Sequence, residues 1–122
     1  MTRNQVLWVI QGLLAALFLF AGVMKLVLPI EAMAGPVALP GSFLRFIGIA
    51  ETFGAIGLIA PGLTRIHPEL TPTAAAGLVV IMIGATIVTA MGRMIAGAIF
   101  PMVVGVLAAS VAIGRSRQAI AA

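Results

Sequence analysis

The sequence predicts an all-α integral membrane protein, a single bundle of four transmembrane helices. Three observations carry that prediction. Of the 122 residues, 62% are hydrophobic and only 8% are charged, whereas roughly a quarter of an average globular chain is charged. The mean hydropathy of +1.25 is more apolar than one small soluble core could hide. The apolar residues also fall into four runs, each close to the ~20 residues a helix needs to cross the hydrocarbon core.

The first run extends from about Gln5 to Leu28. It follows Arg3 and resembles a signal peptide, with Ala32-Met33-Ala34 in the place of a cleavage site. However, the stretch from Val6 to Met24 is 19 residues long, beyond the roughly 7–15 of a signal core. Pro29 and Glu31 also stand between it and the supposed cut, so a membrane helix is expected. The second run covers about Ser42 to Leu63, with Ser42 available as a cap and Pro61-Gly62 closing it. The third covers about Thr71 to Met91, where Thr71 followed by Pro72 reads as an N-cap and first-turn pair. The fourth covers about Gly97 to Gly114, and the short connection before it makes the last two helices an antiparallel hairpin. The longest connection, Pro29 to Gly41, contains Pro29, Pro36 and Pro40 yet stays largely apolar. It reads as a segment on or dipping into the membrane surface, in the manner of a lid. The whole of residues 1–122 forms one domain on this reading.

Four spans put both termini on one side, together with Arg3, Arg65, Arg115 and Arg117. Lys25, Arg45 and Arg93 fall on the other side. The positive-inside rule then favours cytoplasmic termini in a bacterial-type inner membrane, with Trp8 as an interfacial anchor. The formal net charge is +4, but the basic residues are scattered, which suits membrane anchors rather than nucleic-acid binding. The absence of cysteine excludes disulfides, thiolate nucleophiles and cysteine metal sites. His67 and Glu69 in "RIHPELTP" lack further ligands nearby, so they read as a solvated turn, and no metal site is expected.

The informative residue is Glu51. It lies about eight residues into the second run, roughly 12–14 Å deep at ~1.5 Å per residue. A charge at a helix centre costs roughly 2.5–3.5 kcal/mol on insertion scales, so such a group is expected to face a partner or a polar cavity. Gly48, Gly54, Ala55 and Gly62 share its side at helical spacing, while Phe46, Phe53 and Ile59 project elsewhere. Small neighbours let another helix approach, so Glu51 is expected to face inward. The first helix offers a matching stripe of Gln11, Ala15, Phe18, Gly22 and Lys25. Lys25 then lies within side-chain reach of Glu51. Arg93 and Arg45 end near the same membrane face, although Arg45 points about 120° away from Glu51 on a helical wheel. The expected ligand-binding set is Glu51, Lys25, Arg93, Gln11 and Arg45, with Glu51 and Lys25 catalytic if the protein is an enzyme; the competing readings are an interhelical hydrogen-bonding role for Gln11 and interfacial anchoring for Arg93 and Arg45. Thr86 and Thr89 are expected to bond back to their own helix. Gly97, Pro101, Gly105 and Ala109 form a close-packing face, inside the bundle or between copies of the chain.

"FLFAGVMKL" followed by "FIGIAETFGAIGLI" resembles the DoxX-like family of small four-span membrane proteins. That family carries Gly-x-x-Lys near the end of helix one and an isolated Glu in a glycine-rich helix two, positions matched here by Gly22, Lys25 and Glu51. The family takes its name from a membrane subunit of quinone-linked sulfur-oxidising enzymes. The resemblance therefore implies an accessory subunit of a membrane oxidoreductase system whose polar site holds a quinone- or lipid-like ligand. A quinone is the cofactor it brings to mind, and none is required by the residues themselves. Two other readings stay open. One is a small membrane enzyme using Glu51 as general acid or base on a lipophilic substrate, by epoxide opening or isomerisation. The other is a proton-coupled transporter of the small multidrug resistance type, whose essential glutamate lies in the first helix, where this chain has none. The expected partners are the lipid bilayer, a lipophilic small molecule, and either further copies of the chain or a larger membrane complex.

Overall fold

The computed structural model describes residues 2–33, 39–92 and 95–121. Among these residues the chain forms four long helices: α1 (Arg3–Val27), α2 (Gly41–Thr64), α3 (Leu70–Met91) and α4 (Ile95–Ala121). A short 3-10 helix, Ile30–Met33, follows α1. All four long helices are long and apolar enough to cross a membrane, as expected. The centre of the 29–41 connection, where the lid was expected, lies outside the described residues.

The helix ends refine the sequence reading. Thr2 opens α1 with a capping box, exchanging hydrogen bonds with Gln5 at 2.9 and 3.2 Å. Ser42 does not cap α2; Pro40 holds that position and Ser42 is already inside the helix. Thr71 likewise lies inside α3 behind the N-cap residue Glu69. Its hydroxyl donates instead to the Gly57 carbonyl of α2 at 3.2 Å. Pro61 explains why that carbonyl needs a donor, because the residue four positions on has no N–H to offer. A cap-type residue has become an interhelical bond.

Around the bundle, α1 packs most extensively on α2 and α3 on α4, with α2 against α3 and α1 closing onto α4. Leu14 and Phe18 of α1, Ala55 and Leu58 of α2, Ala75 and Leu78 of α3, and Val104, Ala108 and Val111 of α4 fill the interior. Outward positions carry large apolar side chains such as Leu13, Phe20, Phe53, Val80 and Phe100. A soluble helical bundle reserves that surface for polar residues, whereas acyl chains accept it. The termini share one end of the bundle: Leu7 packs on Gly114 and Trp8 on Gly62.

At the other end α1 and α2 touch backbone to backbone. A Cβ placed on Gly22 would lie 2.5 Å from Thr52 Oγ1 and 2.8 Å from the Gly48 carbonyl oxygen. Gly22→Ala should therefore cost about 1–3 kcal/mol, the usual penalty of overpacking, as read by unfolding in mixed micelles. Gly12 has open space where its Cβ would go. Gly12→Ala should be neutral or stabilise by up to about 1 kcal/mol through helix propensity. Equal losses at the two glycines would refute the close approach.

Candidate functional site

Close approach is what brings the first charged pair together. Gly22 stands three residues before Lys25, and Gly48 three residues before Glu51. A Cβ on Gly48 would lie 2.8 Å from Lys25 Cβ, so the absence of side chains there sets Lys25 directly against α2. Lys25 Nζ then stands 2.9 Å from Glu51 Oε1, as the helical stripes predicted. Glu51 occupies the buried face of α2 with Gly48, Ala55, Leu58 and Pro61, at the three- and four-residue steps of one helix side. Lys25 lies in the last turn of α1, where a cation also meets the negative end of the helix dipole.

The pair is unequally buried. The Glu51 side chain is 3% exposed and that of Lys25 is 30% exposed. A lysine ammonium carries three N–H donors, and one of them serves Glu51. The accessible side of the pair is therefore the cationic, donor side.

Arg45 joins this neighbourhood in a way the helical wheel did not foresee. Its Nη1 donates to the Lys25 carbonyl oxygen at 2.7 Å. The last four carbonyls of a helix have no intrahelical donor. Met24 takes the Leu28 N–H, but the next in line, Lys25, would need an N–H from Pro29, which has none. Arg45 supplies the missing donor. Arg93, expected beside the pair, lies outside the described residues.

Gln11 shares the buried face of α1 with Lys25, but it lies nearer the opposite end. Leu14, Phe18 and Gly22 are the buried positions between them. Gln11 Nε2 donates to the Leu58 carbonyl at 2.6 Å, and Gln11 Oε1 accepts from Arg115 Nε at 2.6 Å. Arg115 Nη1 also donates to Asn4 Oδ1 at 2.8 Å, and the guanidinium lies 5.4 Å from the Trp8 ring centroid, a cation–π distance. This cluster ties α1, α2 and α4 at the terminal end. Sequence reasoning took Arg115 for an interfacial charge. The available signal was its spacing: Arg115 continues the buried series Val104, Ala108 and Val111 of α4 by four residues.

Thr86 and Thr89 follow their sequence reading. They donate to the carbonyls of Met82 and Ala85 in their own helix, both at 2.7 Å. His67 Nδ1 lies 2.9 Å from Glu69 Oε1 in an exposed turn. The Glu69 backbone N–H and then the His67 ring hold the Glu69 carboxyl below the usual carboxylate range. Among the described residues no three His, Asp or Glu side chains gather as a metal would need. Among the described residues, open apolar grooves of about 300–430 Å³ run along the outside of the bundle, between α1 and α2, α2 and α3, and α3 and α4. The α2–α3 groove includes Ala50, beside Glu51, and the α3–α4 groove includes Pro101, Gly105 and Ala109.

The model of one protein family, described as the DoxX-like family, matches residues 9–111. The match takes in Gln11, Lys25, Arg45 and Glu51 and ends before Arg115. Neither the curated proteins nor the solved structures contain a match to the chain.

Lys25→Met leaves a buried carboxyl without its cation, and breaking a buried pair in this way costs up to about 3–5 kcal/mol, whereas apolar replacement of both partners is often neutral. The double variant Lys25→Met/Glu51→Leu should thus unfold at higher denaturant than Lys25→Met alone, and the reverse order would contradict the pairing. For Glu69 the folded value is the lower one. Its contribution is present above the unfolded value of about 4.3 and is lost as pH falls through the folded value. Thermal scans from neutral to acid pH should show a loss below that point that is slightly smaller in Glu69→Gln than in the wild type.

Proposed function

Because the chain belongs to the DoxX-like family, we propose that it is a multi-pass protein of a bacterial-type inner membrane whose Lys25–Glu51 pair binds the polar head of a quinone- or lipid-like ligand, in an accessory subunit of a membrane oxidoreductase system. The observation that carries this reading is the unequal pair itself, Glu51 buried and Lys25 2.9 Å away but 30% exposed. In hydrocarbon, ionisable groups mark functional sites by default. A carbonyl or phosphate oxygen suits the remaining N–H donors of Lys25, while Glu51 orients the ammonium from behind. Arg45, one turn before Gly48, adds a guanidinium beside Lys25. The apolar grooves flanking α2, about 430 and 300 Å³ in volume, suit the tail of such a ligand. Gln11 serves to staple helices in this reading, since its amide is engaged by Leu58 and Arg115. Cytoplasmic termini are favoured by Arg3, Arg65, Arg115 and Arg117 on that side.

The test is extraction of the purified protein followed by mass spectrometry of its lipids and quinones. Wild-type protein should carry a lipophilic species with an oxygen-bearing head in stoichiometric amount. Lys25→Met and Glu51→Gln should lose most of it, and Thr86→Val should keep it. Wild-type protein that carries no such species, or pair variants that retain it, would remove the basis of the proposal.

A further inference from the structure

Three separate parts of Lys25 are held by three residues of α2. Its carbonyl oxygen accepts the 2.7 Å hydrogen bond from Arg45. Its Cβ sits where a Gly48 side chain would begin, 2.8 Å away. Its Nζ meets Glu51 at 2.9 Å. The steps from Arg45 to Gly48 to Glu51 are three residues each, so one strip of α2 grips backbone, stem and head of the same lysine. Gly48 and Glu51 make the pair possible. Arg45 does something else: it fixes the backbone from which the Lys25 side chain springs.

The reason this carbonyl is open lies in Pro29. The residue before a proline is driven away from the helical region, and Leu28 is extended at φ −72° and ψ 147°. The ladder of α1 therefore stops at the turn that carries Lys25, and Pro29 brings no N–H of its own. With no ladder donor, this carbonyl is one of the open acceptors of a helix C-terminus, and the Arg45 guanidinium fills it. The same arrangement recurs at Gly57, four residues before Pro61, whose carbonyl takes the Thr71 hydroxyl at 3.2 Å. In each case the following helix supplies the donor. The Thr71 bond joins α2 to α3 and does not touch Lys25, which makes it a built-in control.

We propose that Arg45 is the positioning residue of the Lys25–Glu51 site: by closing the carbonyl that Pro29 leaves open, it locks the end of α1 onto α2 and keeps the Lys25 ammonium on Glu51. The inference rests on reading that pair as the site, but its test needs no ligand. Loss of the ligand reading and loss of this inference are therefore separate results.

Lys25 is the sole lysine of the chain, so its acylation is a direct gauge of how tightly its amine is held. The full-length protein in detergent micelles is treated with an acetyl N-hydroxysuccinimide ester, and peptide mass spectrometry separates Lys25 from the N-terminal amine. Arg45→Met, which keeps length and loses the donor, should be acylated at Lys25 several-fold faster than wild type. Arg45→Lys restores an N–H donor and should return the Lys25 rate close to wild type. Thr71→Val should lower the Tm and leave the Lys25 rate unchanged. Equal Lys25 rates in wild type and Arg45→Met would overturn the inference. So would a Thr71→Val rate as high as that of Arg45→Met, since general loosening would then account for both. Should Arg45→Met fail to fold, Arg45→Leu, whose side chain is shorter and also has no donor, is read in the same way.

Discussion

A polar group inside hydrocarbon has no water to turn to, so it must find its partner within the protein. That constraint organises the contacts between these helices. Wherever a proline breaks the ladder of one helix and a donor has been found, the donor comes from its neighbour: Arg45 for the Lys25 carbonyl and Thr71 for the Gly57 carbonyl. The next carbonyl along, Leu58, receives Gln11. The prolines therefore do more than bend or end helices. They open acceptors at defined heights, and Arg45 and Thr71 fill two of them. The apolar interior fixes which faces meet, and these few directional bonds fix how far each helix is slid along the next.

How much of this was legible in the sequence depends on whether direction or depth was being asked. Four apolar runs and the inward side of Glu51 followed from length and helical spacing alone, because a carboxyl flanked by Gly48, Gly54 and Ala55 has one plausible face. Lys25 opposite Glu51 followed from the same logic. Gln11 bonds across to a neighbouring helix, as expected, but its height in the bundle did not follow from that logic. It lies on the buried stripe of α1 with Lys25, yet a stripe runs the full length of a helix and says nothing of which partners stand at each height. Its partner Arg115 comes from the far end of the chain, 104 residues away, and no local pattern announces such a contact. Arg45 shows the complementary error. A helical wheel reports where Cβ points, whereas a long guanidinium reaches round to a backbone carbonyl on the neighbouring helix. Ser42 and Thr71 looked like caps because their residue types favour that role. For Thr71 the vacancy at Gly57 set the outcome, since a bond between helices was available there.

The two polar centres divide the labour along the bundle axis. At the terminal end, Arg115, Gln11, Asn4 and Trp8 join α1, α4 and, through the Leu58 carbonyl, α2. At the other end the bonds of Lys25, Glu51 and Arg45 join α1 to α2. Leu14, Phe18, Ala55 and Leu58 fill the level between them with side chains that are all nearly or fully buried. The terminal centre ties three helices through a neutral amide shared by two bonds. The other centre places two opposite charges between two helices whose backbones already touch at Gly22 and Gly48.

Adhesion alone does not account for that second arrangement. Leu14 and Phe18 hold the bundle interior together without any polar atom, and exchanging a buried ion pair for apolar residues of similar volume is often neutral or stabilising. Burying a carboxyl and an ammonium also carries a desolvation cost, which the glycine contact does not require. The pair therefore contributes something that packing cannot, a fixed donor and acceptor set in an otherwise apolar shell. The unequal burial then assigns the parts. With Glu51 at 3% and Lys25 at 30% exposure, the ligand-binding proposal gives the carboxylate the orienting part and the ammonium the part that meets an incoming oxygen.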